Sequence, residues 1–137
     1  MKRSILISSG ISLLVLGLFL SLPLTSFCQE TIEIQVSPST LNLQFSGQVV
    51  TVHTDIAYSL VDAETVKLND VEISHWKADN QGNFVAKFLV SDIIGLPLNI
   101  GELNDLTLDG VKTDGTTFTG TDQVMVINVI PQGNGKK

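Results

Sequence analysis

Cysteine is almost absent: Cys28 is the chain's one thiol. The segment beyond it can form no internal disulfide, so its fold must rest on packing. Basic residues are few, 8 against 14 acidic, and Lys2 and Arg3 belong to the extreme N-terminus. All the acids lie beyond residue 28, which excludes the electrostatic footprint of a nucleic-acid-binding surface. No Asn-x-Ser/Thr triplet occurs, which removes conventional N-glycosylation. Aromatic residues make up 6 % of the chain, with one tryptophan and one tyrosine. Past residue 30 no stretch sustains the 3.6-residue period of a long helix.

The N-terminus is where apolar residues run together. Lys2-Arg3 precede a largely apolar segment from Ile5 to Leu24, whose compact part is Ile11 to Leu20; Pro23 breaks it and Thr25-Ser26-Phe27-Cys28 follow. This order of charge, apolar run and small residues reads as an export signal. A cut after Cys28 places Ser26 and Cys28 at the two positions where a signal peptidase needs small residues, and the mature chain then starts at Gln29. Two other readings are open. Leu24-Thr25-Ser26-Phe27-Cys28 loosely resembles a lipobox, which would make Cys28 the lipid-bearing first residue of a bacterial lipoprotein, and the apolar run is long enough for an uncleaved anchor. The expected organisation is a signal at 1–28, one domain at 29–131 and a polar tail at 132–137.

The domain reads as β structure. Ile32, Ile34 and Val36 alternate with Glu33 and Gln35; Pro38 interrupts, and Leu41, Leu43 and Phe45 resume the period. A long strand is expected over 48–56, with Val50, Val52 and Ile56 on one face and Thr51, His53 and Asp55 on the other. Val66-Lys67-Leu68 and Val71-Glu72-Ile73 flank a tight turn at Asn69-Asp70. Asp79-Asn80-Gln81-Gly82-Asn83 reads as a hairpin loop leading into Phe84, Ala86, Phe88 and Val90. A short helix capped by Ser91 or Asp92 is expected within 91–98, stopped by Gly95 and Pro97. Leu106, Leu108 and Val111 precede a hairpin turn at Asp114-Gly115, and the near-continuous apolar run at 124–130 suits a central strand covered on both faces. About eight short strands in one domain predict an all-β chain, an Ig-like antiparallel β-sandwich of about 7–8 strands, with a small barrel as the alternative.

Two segments carry a resemblance. Pro38-Ser39-Thr40-Leu41-Asn42-Leu43 opens the first, and Thr113-Asp114-Gly115-Thr116-Thr117-Phe118-Thr119-Gly120-Thr121-Asp122 forms the second. Together they resemble a small Ig-like module of secreted bacterial and archaeal proteins, often found at the end of larger extracellular chains. The resemblance implies the sandwich fold and is almost silent on activity. In relatives of this kind the middle loop is often longer and rich in Asp and Gly, like a calcium loop. Here it is five residues, and it reads as a turn without the distal Glu of an EF-hand.

Chemical motifs are sparse. His53 and His75 have no nearby cysteine or paired carboxylate to complete a zinc site. No Gly-x-Ser-x-Gly elbow is present. Asp105, Asp109, Asp114 and Asp122 fall at strand ends and turns, where Asp serves the backbone, rather than in a spacing that predicts a hydrolytic pair. Trp76, with Tyr58 and Phe84 as its aromatic neighbours in the chain, is expected to pack in or over the core; were it exposed, sugar stacking would become the alternative. No catalytic residue, cofactor or metal is assigned. The expectation is a non-enzymatic, exported structural or protein-interaction module, secreted or at the cell surface, with an envelope or extracellular partner. A carbohydrate- or calcium-binding module is the alternative. Membrane contact is expected only through the signal or a lipid on Cys28.

Overall fold

A computed structural model describes residues 29–44 and 49–130. The signal at 1–28 with Cys28, Phe45, and the tail at 132–137 lie outside the described residues. Ten strands are described: β1 (Gln29–Thr31), β2 (Ile34–Ser37), β3 (Thr40–Asn42), β4 (Val49–Ala57), β5 (Val61–Leu68), β6 (Val71–Glu72), β7 (His75–Ala78), β8 (Asn83–Leu89), β9 (Leu103–Lys112) and β10 (Thr117–Ile127). One sheet runs β1-β10-β9-β5-β6, with β3 also paired to β10; the other runs β2-β4-β8-β7. Apart from β1, β3 and β6, fragments of two or three residues, the order is β2-β4-β8-β7 against β10-β9-β5. That is the four-against-three strand order of an immunoglobulin-type sandwich.

The three fragments raise the strand number above the expected 7–8, and β1 and β3 arise where the chain crosses between the sheets. The alternation Ile32, Ile34, Val36 spans not one strand but a crossing between sheets. Ile32 N–H donates to Thr119 O of β10 at 2.8 Å, whereas Glu33 O accepts from Asp55 N–H of β4 at 3.2 Å, so consecutive residues satisfy their backbone groups in opposite sheets. Burial still alternates through the crossing, because both sheets present the same core. Gly120 makes room for it: a Cβ there would stand 2.8 Å from Ile32 O. Pro38, which has no N–H to give a ladder, sits where the chain crosses back from β2 to β3.

Turn residues close the hairpins. Asn69 and Asp70 both adopt positive φ, 47° and 70°, between β5 and β6. Gly82 (φ 84°) and Gly115 (φ 91°) do the same work between β7 and β8 and between β9 and β10. The helix is a single turn, Val90–Ile93, and neither Ser91 nor Asp92 caps it; Leu89 holds the cap position without a side-chain bond. Burial of Val90 and Ile93 anchors it instead. The run at 124–130 is not covered on both faces: Val124 and Val126 are buried, Met125 and Ile127 are half-buried, and Val129 and Ile130 lie exposed beyond the strand. β10 is flanked within its own sheet, but among the described residues no layer lies above its outer face.

The core draws on both sheets, with Phe84, Phe88, Phe118, Leu68, Leu106, Leu108, Val52 and Val66 fully buried. Thr54 is the polar exception inside β4. Its Oγ1 donates to Phe84 O at 2.7 Å across the register break between His53 and Ala57, replacing a ladder bond where the strand bulges.

Candidate functional site

Among the described residues the sandwich is open on one flank. β6 pairs only Lys67 and Leu68, so residues 61–66 of β5 form the border of one sheet, and β7 forms the border of the other. A cleft of about 500 Å³ lies on this flank, lined from β5 by Val61, Asp62, Ala63 and Glu64, from β7 by Trp76, and by Tyr58, Ser59, Phe84 and Thr113.

Each wall has a traceable cause. β5 is paired to β9 at Asp62 and again at Lys67, but residues 63–66 stand against Gly110 alone. Thr65 spans the break: its Oγ1 accepts from Val111 N–H at 2.9 Å and donates to Asp62 O at 2.7 Å. The chain between β4 and β5 forms a 3-10 turn, Tyr58–Leu60, tied by Tyr58 N–H to Gly82 O (2.8 Å) and by Thr113 N–H to Leu60 O (2.9 Å). That pinning holds the Tyr58 ring against Phe84, centroids 6.1 Å apart and 30° from parallel. Trp76 pairs with Ala86 and therefore shares the inner face of its sheet with Phe84.

Trp76 does not pack in the core. It is 38 % exposed and Tyr58 39 %, while Phe84, which also lines the cleft, is fully buried. The reason is position: among the described residues β7 has no neighbour beyond it, so an inward-facing residue there looks onto the open flank. On its other side Trp76 borders a shallow depression of about 410 Å³ lined by Val49, His75, Lys77 and Lys87 on the outer face of that sheet. Trp76 thus borders two depressions of different charge, one lined by Asp62 and Glu64 and the other by Lys77 and Lys87.

The other candidates do not converge. His53 and His75 are exposed, and among the described residues no three His, Cys, Asp or Glu side chains come together in a way that would hold a metal. Asp79 Oδ1 accepts the Gln81 and Asn83 N–H groups (2.8 and 2.9 Å), which makes it the clasp of the β7–β8 turn. The Asn83 N–H holds its carboxyl below the usual Asp value. Asp114 plays the same part in the β9–β10 turn, lowered first by the Thr116 N–H. Asp105 accepts from Gln123 Nε2 at 2.9 Å. Asp122 Oδ2 accepts Val36 N–H at 2.8 Å, a bond between the two sheets. None of these four aspartates lines the cleft. Asp62 and Glu64, which do, carry no motif in the sequence; the signal that would have found them is the break in the β5–β9 register, a long-range property.

No family model matches the chain. No curated protein matches it either. Among solved structures, the chain is similar to a part of a 1.5-MDa bacterial ice-binding adhesin, solved in work on its retention at the host cell surface. Identity is 19 % and the TM-score 0.44, over 77 % of this chain and 34 % of that one, so the chain spans about a third of its neighbour's length.

Proposed function

We propose that this chain is an exported, non-catalytic Ig-like module of the cell envelope or extracellular space, and that it engages a protein partner through the open flank between β5 and β7. The observation that carries this reading is the half-exposed Trp76 in a cleft bordered by two unpaired strand edges. A large aromatic left partly in water on a rigid frame is the kind of anchor that protein interfaces use. The edges themselves are poor templates for strand addition, since β5 breaks its register and carries Asp62 and Glu64 while β7 is short and carries Lys77. Recognition therefore rests on side chains at the cleft rather than on ladder bonds.

A carbohydrate ligand is the second reading, favoured by the same exposure of Trp76. Both are tested with the full chain produced in a host that exports it, photo-crosslinked to envelope material. One envelope polypeptide recovered with wild type, and reduced at least fivefold for Trp76→Ala, is the expected result. Equal recovery with both would overturn the reading, and retention of the wild type alone on a polysaccharide column would replace the protein partner by a glycan.

A further inference from the structure

We infer that the cleft takes a cationic side chain, lysine or arginine, presented by the partner. This rests on the flank being the binding surface and names the chemistry it selects. Trp76 and Tyr58 are the exposed rings of the cleft, and the buried Phe84 lines it too, packed against Tyr58. Ring faces attract cations through their quadrupole, with Trp the strongest. Asp62 and Glu64 line the same cleft, and no Lys, Arg or His does. Among the described residues neither carboxylate makes an ion pair; the one described pair is Lys112 with Glu30 at 2.8 Å. Ser59 and Thr113 add hydroxyls that can accept the remaining protons of an ammonium or guanidinium.

A neutral sugar would use the rings but has no need of two unpaired carboxylates. An anionic group is repelled by Asp62 and Glu64 in this cleft and finds Lys77 and Lys87 only in the separate depression on the outer face of the sheet. The excess of acidic over basic residues across the chain favours encounter with a basic partner in the same sense.

The test uses the single tryptophan. In a ¹H–¹⁵N spectrum of the labelled protein the indole N–H of Trp76 is one resolved signal, and it is followed while N-acetylargininamide, N-acetyllysinamide or maltose is added at constant ionic strength. Saturable movement with the two cations and none with maltose is expected. In Asp62→Asn/Glu64→Gln the half-saturating concentration should rise at least about fivefold, whereas Lys77→Gln/Lys87→Gln should leave it unchanged or lower it. Should the acidic double variant fail to fold, the wild type answers alone: raising sodium chloride from about 0.02 to 0.5 M should weaken cation binding severalfold. Movement with maltose but not the cations, cation binding indifferent to salt or to the two carboxylates, or no movement with any probe would each overturn the inference. The flank reading is decided separately, by the Trp76-dependent crosslink.

Discussion

Gly110 faces Phe118 across the β9–β10 ladder so closely that a Cβ on residue 110 would lie 2.5 Å from the Phe118 ring and 3.0 Å from Val66. The glycine is required for space and not for its backbone angle, since the ring lies where a side chain would begin. Gly110→Ala is therefore expected to lower stability by about 1–3 kcal/mol through overpacking, read as a lower midpoint with an unchanged slope in urea unfolding. An unaltered midpoint would mean that the ring moves aside freely.

Asp122 joins the sheets by accepting the Val36 N–H. Val36 is itself buried, so losing the acceptor leaves a part-buried donor unpaired. Asp122→Ala should cost about 1–3 kcal/mol, and Asp122→Asn, which keeps an amide oxygen, should cost less. Hydrogen exchange at the Val36 amide distinguishes the two, with faster exchange expected in the alanine variant.

Much of this arrangement is readable from local pattern. Asn69-Asp70, Asp79 to Asn83 and Asp114-Gly115 mark turns because their conformations are set within four or five residues, and alternation in 84–88 and 106–108 marks the core face because a pleat has period two. What alternation cannot encode is which sheet a strand joins, so Ile32 and Ile34 read as one strand although the chain crosses between them. It also cannot say whether another strand lies beyond. Trp76 occupies an inward position like Phe84, and only the edge location of β7 leaves it half in water. Thr54 and Thr65 carry no signal in the local pattern, yet each replaces a ladder bond at a register break. The cleft shares that cause, being made by strands whose pairing, or lack of it, is settled far away in the chain.

The edge placement of Trp76 makes a direct comparison possible. Phe84→Ala empties a fully buried site and should cost about 3–5 kcal/mol, whereas Trp76→Ala, though it removes the larger ring, should cost about 1–2 kcal/mol because much of that ring is hydrated before unfolding. Chemical denaturation of the two variants checks the order. A Trp76→Ala loss as large as that of Phe84→Ala would place the indole in the core.

Acid dependence follows from the turn clasps. Asp79 and Asp114 have folded pKa values below that of an ordinary aspartate, first through the backbone donors of Asn83 and Thr116. The unfolded chain therefore takes up protons first as pH falls. The stability these groups supply is fully present above the unfolded value and is lost as pH drops through the folded one. Between about pH 4 and 2 the melting temperature should fall for wild type and fall less steeply for Asp79→Asn/Asp114→Asn. Parallel curves for the two proteins would remove the clasps as a source of acid sensitivity.

The β5–β6 turn has room for improvement. Asn69 fills its positive-φ position usefully, because its Oδ1 accepts Thr107 N–H at 2.8 Å and its Nδ2 donates to Asp105 O at 3.2 Å, binding the turn to β9. Asp70 also has positive φ, at 70°, with no described hydrogen bond of its side chain to offset the strain. Glycine reaches that conformation without a Cβ clash, and Asn-Gly is the preferred pair for such a two-residue turn. Asp70→Gly should accordingly raise stability by about 0.5–1 kcal/mol, whereas Asn69→Gly should lower it by removing both side-chain bonds to β9. Opposite signs in the two melting shifts are the expected outcome, and a loss at both positions would show that the Asp70 side chain supports the turn.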